Sequence, residues 1–217
     1  MKQTYFTPDT INQKAIEMIQ EVGLLRKRTD IVFSPERSAL LVLDMQAYFL
    51  DSASHAFIPS ASAIVPGLQA LIETYSNRDL PIIFTRHQNT PQDAGQMAAW
   101  WRELMLPDHP SGGVIPELDT SKGLLLSKCQ YDAFYNTGLE AYLRSRDVLQ
   151  VIISGVMTHL CCETTARSAF MRGFEVFFLV DGTATYNERF HIASLLNLSH
   201  GFATLALVEE VLKACHD

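Results

Sequence analysis

The chain has 217 residues, of which 47% are hydrophobic and 19% charged, a composition typical of one α/β domain that buries its core without disulfides. The formal net charge of −7 argues against a nucleic-acid partner, because such proteins usually carry a basic face. No run reaches about 18 consecutive apolar residues, so we expect no membrane partner and no membrane span.

Residues 1–20 lack the apolar core of a secretory signal and indicate a polar lead-in to an amphipathic helix. The four cysteines, two of them adjacent, do not form a disulfide framework, and free thiols are typical of a reducing compartment. We therefore expect a cytoplasmic protein. Its residues 1–35 are interpreted as an extension that packs on the domain formed by residues 36–217, or on a second subunit.

Six short apolar runs alternate with segments of helical spacing. The runs are rich in Val, Ile, Leu and Phe, which favours strands buried on both faces of a parallel sheet. In chain order they are 38–44, 81–85, 123–128, 149–155, 175–182 and 203–207. Helical spacing covers 62–79, 94–106, 138–146, 159–172, 188–200 and 208–215. The alternation predicts a doubly wound sheet with helices on both faces.

Residues that follow these runs are expected to meet at one edge of the sheet, because ligands collect at the carboxyl ends of parallel strands. Asp44 follows the first run, and Lys128 ends the third. A turn over residues 155–161 follows the fourth run, and Asp181 follows the fifth. The topology therefore predicts three kinds of reactive group at this edge.

The two adjacent cysteines are expected to have different roles. If a helix begins near His159, both lie in its first turn, where unpaired N–H groups and the helix dipole stabilise a thiolate. Cys162 shares a helix face with Ala169 and Phe170 and is expected to pack against the sheet. Cys161 lies toward a more polar face and is the candidate nucleophile. The alternative is a pair of buried structural thiols.

A nucleophilic thiol needs a base that takes its proton or a cation that holds its anion. Asp44 serves as the base if desolvation raises its pKa toward neutrality, and Lys128 supplies the cation. The alternatives are an Asp that caps the loop after a strand and a lysine at the surface. A zinc site is a weaker hypothesis, because the cysteines lack the spacing of zinc ligands.

Three stretches of the chain carry a resemblance to a known family: LLVLDMQAYFL (40–50), LLLSKCQYDAFYNTGLEAYL (124–143) and ISGVMTHLCCETTARSAFMRGFEVFFLVDGTA (153–184). Together they resemble the isochorismatase-like hydrolase superfamily, over residues 36 to 212. The resemblance implies an α/β fold, a Rossmann-like three-layer sandwich with a six-stranded parallel sheet flanked by helices.

In the cysteine hydrolase branch of this superfamily, the three motifs supply a catalytic triad. The resemblance places that triad on Asp44, Lys128 and Cys161. It also implies a cis peptide bond between Val156 and Met157, and an oxyanion hole formed by the backbone N–H groups of Met157 and Cys161. The implied reaction is hydrolysis of an amide-type C–N bond of a small molecule through a thioester intermediate.

A second branch, the true isochorismatases, hydrolyses a vinyl ether without a thiol and carries a similar N-terminal extension. The turn GVMTHLCC (155–162) resembles theirs, except that Cys161 stands where they have Gly. Their substrate-binding Gln is replaced by Arg86 and His87 in FTRHQ (84–88). Vinyl-ether hydrolysis is therefore an alternative function, and a non-catalytic binding subunit is another.

The pocket is expected to have aromatic walls formed by Phe49, Tyr131 and Phe134, with Arg86 or His87 binding a substrate carboxylate. Nicotinamidases in the superfamily hold a metal with an Asp-x-His pair, and Asp51 and His55 have the wrong spacing for it. We expect no metal and no other cofactor. The resemblance implies a homo-oligomer, dimer or tetramer. An apolar stripe in the extension gives this a physical basis: Tyr5, Phe6, Ile11, Ile16 and Ile19.

Overall fold

The computed structural model describes residues 1–23 and 31–216, which form six strands and eight α-helices. The strands are β1 (Ser38–Leu43), β2 (Ile82–His87), β3 (Leu124–Lys128), β4 (Gln150–Val156), β5 (Glu175–Ala184) and β6 (Thr204–Ala206). The helices are α1 (Ile11–Gly23), α2 (Ala47–Leu50), α3 (Ala61–Asn77), α4 (Met97–Trp100), α5 (Leu139–Ser145), α6 (Glu163–Met171), α7 (Glu188–Gly201) and α8 (Val208–His216). None of the helices in the described ranges is long and apolar enough to cross a membrane.

The six strands form one parallel sheet in the order β3-β2-β1-β4-β5-β6, with helices flanking it. This confirms the predicted fold class. The strand order reverses between β1 and β4, which are both buried along their whole length. Crossover connections therefore leave on opposite sides of this pair, and the loops after the two strands open a crevice at their carboxyl ends.

The strand β3 differs from the prediction of burial on both faces. It pairs only with β2, at the edge of the sheet, and the Leu125 side chain is 43% exposed. In this strand only its last residue, Lys128, is buried. Successive side chains point to opposite faces of a strand, so the alternate exposed residues of β3, Leu125 and Ser127, lie on one face of the sheet.

The helix predicted over 94–106 is wrong in its length, because only the single turn α4 forms there. Trp101 adopts an extended conformation that ends the turn. The backbone N–H of Asn89 donates to the carbonyl oxygen of Met105 at 2.6 Å, so the chain after Trp101 folds back along the loop that follows β2. The apolar spacing that imitated a helix instead turns Met97, Trp101 and Met105 toward one cavity.

Residues 1–23 of the N-terminal extension pack against the part of residues 36–217 that the structure describes. Tyr5, Phe6 and Ile11 are buried, and helix α1 contacts α7 and β5. Of the apolar stripe taken as a basis for oligomerisation, only Ile16 stays substantially exposed, at 38%. That physical basis is therefore wrong, and homo-oligomerisation stays a prediction. The charged stretch at 26–28 lies outside the described residues.

Asp181 does not lie at the edge where the other predicted groups meet. Strand β5 continues to Ala184, so Asp181 lies inside the strand, and its Oδ1 accepts a hydrogen bond from the backbone N–H of Val208 at 2.9 Å. The carboxyl group therefore caps the first turn of α8. Burial is the main reason that the pKa of Asp181 rises to about 6, and Glu210 and Glu209 add to the shift.

Gly155 lets β4 approach β1 next to the point where Asp44 follows β1. Its φ angle is +102°, and a Cβ atom at this position would overlap the carbonyl oxygen of Leu43. A side chain here would be disfavoured by the backbone conformation and by direct contact.

Replacing Asp181 with Asn should stabilise the protein at neutral pH. Folded Asp181 keeps its proton up to about pH 6, whereas the unfolded chain releases it near its ordinary value of 3.8, so stability is lost as the pH rises through this window. Asp181→Asn should therefore raise the free energy of unfolding by on the order of 2 kcal/mol above pH 6, with the gain shrinking toward pH 4. Urea titrations across this range measure it. Glu209→Gln, an exposed change in the same turn, should alter stability by less than about 0.5 kcal/mol.

Replacing Gly155 with Ala should lower the free energy of unfolding by about 3 kcal/mol or more, because the added methyl group forces β4 away from β1. Gly173→Ala is the matched control, since Gly173 also has a positive φ (+81°) but open space around it. It should cost only about 1 kcal/mol. Equal losses in urea unfolding would show that backbone conformation alone explains Gly155.

Candidate active site

Asp44 occupies the first loop position after β1. Its backbone has a positive φ of 51°, uncommon for a residue other than glycine and concentrated at functional sites. The Asp44 carboxylate is fully buried, and Oδ1 accepts a hydrogen bond from the Thr85 hydroxyl at 2.6 Å. The Asp44 backbone N–H donates back to the same hydroxyl at 3.1 Å. Strand β2, which carries Thr85, thus fixes the carboxylate.

Lys128 reaches this carboxylate from the edge of the sheet. Its Nζ lies 2.7 Å from Asp44 Oδ2, and both side chains are excluded from solvent. The ammonium also donates to the carbonyl oxygen of Gln130 at 3.0 Å and to Cys161 Sγ at 3.3 Å. The ammonium thus makes one ion pair and two hydrogen bonds. The structure therefore brings Asp44, Lys128 and Cys161 together.

The two cysteines lie in a π-helical turn, Thr158–Cys162, that leads into α6. Cys161 faces the cavity described below, and its Sγ accepts a hydrogen bond from Lys128 Nζ at 3.3 Å. Cys162 is fully buried in the core. Phe170 does not share its buried face, since it is 50% exposed. Eight residues turn an α-helix about 80° past two full turns, which carries Phe170 to the surface.

The charges of this site differ from the expectation for Asp44. Burial by itself raises the pKa of Asp44, but the Lys128 ammonium opposes it and holds the pKa below its ordinary value. The same pairing holds the pKa of Lys128 above its usual range despite burial. Burial, reinforced by the Asp44 carboxylate, raises the pKa of Cys161 to about 12. At neutral pH the resting site therefore holds a carboxylate, an ammonium and a neutral thiol.

The turn before Cys161 contains the Val156–Met157 peptide bond in its cis form, as the resemblance implied. The carbonyl oxygen of Met157 accepts hydrogen bonds from the N–H groups of Leu160 and Cys162, at 3.1 and 3.2 Å. This carbonyl oxygen therefore accepts hydrogen bonds only from within the turn, among the backbone bonds described above. Met157 and Cys161 both border the cavity.

A cavity of about 140 Å³ lies in front of Cys161. Three residues expected at the pocket, Phe49, His87 and Tyr131, line it. Most of the other walls come from residues that the sequence analysis did not assign to the pocket: Tyr48, His55, Ala56, Asn89, Met97, Trp101, Arg102, Glu103, Leu104, Met105, Leu160 and Tyr186. The walls are mostly aromatic or aliphatic, so the cavity suits a flat, largely apolar molecule.

Two residues expected to bind substrate lie elsewhere. Arg86 points to the opposite face of β2 from Thr85 and His87, because side chains alternate along a strand, and its Nε donates to Ser127 Oγ at 3.0 Å. Phe134 packs in the core against Phe174, with ring centroids 5.9 Å apart. Neither residue lines the cavity, which corrects both expectations.

His87 lines the cavity but does not carry the positive charge that a carboxylate partner would need. Burial and the neighbouring Lys128 ammonium lower the pKa of His87 to about 4, so the ring is neutral at pH 7. The Asn89 amide donates to the carbonyl oxygen of Cys129 at 2.7 Å, which turns its oxygen toward His87 Nε2, also at 2.7 Å. The proton of the neutral ring therefore lies on Nε2, and Nδ1 keeps its lone pair.

Glu103 forms the most polar part of the cavity rim. Its Oε1 accepts a hydrogen bond from the Tyr48 hydroxyl at 3.0 Å and lies 3.2 Å from His55 Nδ1. The sequence contained only a weak signal for this rim, the aromatic pair within AAWWRELM (98–105), of which Trp101 donates to the Tyr131 hydroxyl at 2.7 Å.

The residues weighed as remnants of a metal site do not converge. Asp51 Oδ1 accepts a hydrogen bond from the N–H of Ala53 at 2.8 Å, while His55 contacts Tyr48 and Glu103. Within residues 1–23 and 31–216, no three His, Cys, Asp or Glu side chains are grouped to hold a metal ion.

Comparisons with known proteins agree with this architecture. The family described as "Isochorismatase domain" matches residues 38–210. The chain is 39% identical over 173 residues to Nicotinamidase 3 of Arabidopsis thaliana, covering 77% of this chain and 83% of that protein. It is 31% identical over 168 residues to Isochorismatase of Bacillus subtilis, covering 74% of this chain and 52% of that protein. A crystal structure of a cysteine hydrolase from Pseudomonas syringae superposes with a TM-score of 0.82 at 26% identity, covering 88% and 97% of the two chains.

Replacing Asp44 with Asn should lower the free energy of unfolding by about 3 to 5 kcal/mol, because it leaves the Lys128 ammonium buried without its counter-charge. The double variant Asp44→Asn/Lys128→Met should recover most of that loss, since it removes both charges. Urea unfolding of the two single variants and the double variant measures the coupling. A double variant as unstable as the sum of the two single variants would contradict a direct ion pair.

Proposed function

The chain belongs to the isochorismatase family of hydrolases, and we propose that it cleaves an amide-type C–N bond of a small molecule with Cys161 as nucleophile. The observation that carries this proposal is the contact of three side chains at the base of the cavity. Lys128 Nζ lies 2.7 Å from Asp44 Oδ2 and 3.3 Å from Cys161 Sγ. A carboxylate, an ammonium and a thiol in this arrangement supply a base, a charge partner and a nucleophile.

The first step follows from the resting charges. Asp44 is ionised and accepts the Sγ proton, while Sγ forms a bond to the substrate carbonyl carbon. Because the pKa of Cys161 is raised, proton transfer accompanies the attack instead of preceding it. The carbonyl oxygen becomes an oxyanion that the backbone N–H groups of Met157 and Cys161 bind, a contribution of roughly 3 kcal/mol per donor in comparable sites.

The second step breaks the C–N bond. Asp44 returns its proton to the leaving nitrogen, an amine departs, and a thioester remains on Cys161. A water molecule, deprotonated by Asp44, then attacks the thioester carbonyl. The acid leaves, and Sγ regains its proton. Lys128 keeps its charge throughout and holds Asp44 and Cys161 in register.

The cavity favours an uncharged, ring-shaped amide. Its walls include Tyr48, Phe49, Trp101, Tyr131 and Tyr186, and its volume of about 140 Å³ suits one ring with a small substituent. The likeness to Nicotinamidase 3 of Arabidopsis thaliana points in the same direction. Nicotinamide and benzamide are therefore the first substrates to test.

Vinyl-ether hydrolysis of isochorismate is the second candidate, because Isochorismatase of Bacillus subtilis is 31% identical. That substrate carries two carboxylates, which need cationic partners. His87 is neutral and Arg86 lies on the other face of β2, so among the lysines and arginines of residues 1–23 and 31–216 Arg102 alone lines the cavity, with Lys2 at its mouth. These observations favour the amide over the vinyl ether.

Replacing Cys161 with Ala should reduce kcat/KM for amide hydrolysis by at least about 10³-fold, because it removes the atom that forms the thioester. Release of ammonia measures the reaction, and added hydroxylamine should capture the acyl group as a hydroxamate in the unchanged protein but not in Cys161→Ala. Cys162→Ala, which removes the adjacent thiol from the core, should stay within about tenfold of the unchanged protein.

A Cys161→Ala variant that hydrolyses amides at full rate would refute the nucleophile. A variant that loses no activity on isochorismate would support vinyl-ether chemistry, since that reaction needs no thiol. If neither substrate class reacts nor raises the melting temperature of the unchanged protein, the non-catalytic alternative gains support.

A further inference from the structure

Residues 1–6, named here the strap, run beside the loop that follows β5. The N–H of Gln3 donates to the carbonyl oxygen of Tyr186 at 2.7 Å, and Tyr186 is one wall of the cavity. At its other end, the N–H of Tyr5 donates to Ser60 Oγ at 2.9 Å, at the start of α3. The strap is therefore fixed at both ends and lies against the cavity wall.

Lys2 links two sides of the cavity mouth. Its Nζ donates a hydrogen bond to the carbonyl oxygen of His55. The same ammonium lies 4.8 Å from the centroid of the Tyr186 ring, within the range of a cation–π interaction. His55 and Tyr186 both line the cavity and come from distant parts of the chain. One side chain of the strap thus holds the two walls together.

Tyr5 lies beneath the turn that carries Cys161. The Tyr5 hydroxyl accepts a hydrogen bond from the backbone N–H of Thr185 at 3.0 Å, and it lies 3.0 Å from His191 Nδ1. The same nitrogen lies 3.1 Å from Thr158 Oγ1, at the first position of the π-helical turn. Tyr5 and His191 are both buried, so this network has no competing water at its surface.

We propose that the strap is part of the active site, with Lys2 and Tyr5 as positioning residues. Lys2 holds Tyr186 against the substrate and so controls affinity. Tyr5 holds Thr185 and the Thr158 turn and so controls the placement of Cys161. Neither residue touches the reacting atoms. The expected effects on KM and kcat rest on the proposed amide hydrolysis. The closure of the cavity mouth, meaning the link that Lys2 forms between His55 and Tyr186, does not.

Lys2→Ala should raise KM for the amide about tenfold and leave kcat within about twofold. The Tyr186 wall contacts the bound substrate and the transition state equally, so its displacement weakens binding without changing the chemical step. Lys2→Arg keeps a donor and a cation and should restore KM. Lys14→Ala is the matched control: Lys14 pairs with Glu188 at 2.8 Å and ties the same extension to α7, but neither residue lines the cavity. It should leave both constants within about twofold.

Tyr5→Phe should lower kcat about tenfold with little change in KM, since Thr185 and His191 lose the Tyr5 hydroxyl, and His191 is the residue that contacts Thr158 in the turn that carries the nucleophile. A melting curve checks that the variant is folded. If kcat in a folded Tyr5→Phe protein equals that of the unchanged protein, the role of Tyr5 is refuted.

Access to Cys161 gives a readout that does not need turnover. Alkylation of Cys161 by iodoacetamide, followed by mass spectrometry at one pH, should be about fivefold faster in Lys2→Ala and unchanged in Lys2→Arg and Lys14→Ala. Equal rates in Lys2→Ala and the unchanged protein, or an equal increase in Lys14→Ala, overturn the role of Lys2. If no variant hydrolyses an amide but Lys2→Ala alone is alkylated faster, the proposed function fails and the closure of the mouth stands.

Discussion

The ion pair between Asp44 and Lys128 is the interaction on which the site depends. The two residues follow β1 and end β3, strands separated by β2, and both side chains are excluded from solvent. Two buried charges are tolerated only when they are paired and hydrogen-bonded. Thr85, on the strand between them, supplies the hydrogen bond to the carboxylate. The sheet order therefore fixes the distance between base and ammonium before any substrate arrives.

The same pair sets the protonation of the third group. The Asp44 carboxylate offsets the stabilisation that the Lys128 ammonium gives to a thiolate. Burial therefore dominates at Cys161 and raises its pKa. The thiol stays protonated beside an ionised base, which suits a proton transfer that occurs as the sulfur attacks. His87 is neutral, and the lining of the cavity is mostly aromatic or aliphatic, with one basic and one acidic side chain, Arg102 and Glu103. The electrostatics of the site thus agree with an uncharged substrate.

Most of the aromatic walls of the cavity come from segments outside the sheet. Tyr48 follows β1, Trp101 ends the turn α4, and Tyr186 follows β5, so three separate loops supply the aromatic walls. The strap adds a fourth segment, because Lys2 and Gln3 both contact Tyr186. The sheet therefore positions Asp44, Lys128 and Cys161, while loops form most of the aromatic surface of the cavity.

The sequence by itself determined the alternating α/β architecture and the choice of Asp44, Lys128 and Cys161 as residues that meet at one edge of the sheet, because buried strands and the polar residue after each one are local signals. The tertiary structure alone decided the rest. It placed His87 at the cavity and Arg86 on the opposite face of β2. Side chains alternate between the two faces of a strand, but the sequence does not say which face borders the cavity. It moved Phe134 into the core and Asp181 to the start of α8. Burial alone predicted a raised pKa for Asp44, whereas in the folded protein the Lys128 ammonium lowers it. Lys128 lies 84 positions further along the chain (128 − 44), so only the fold brings the two charges together.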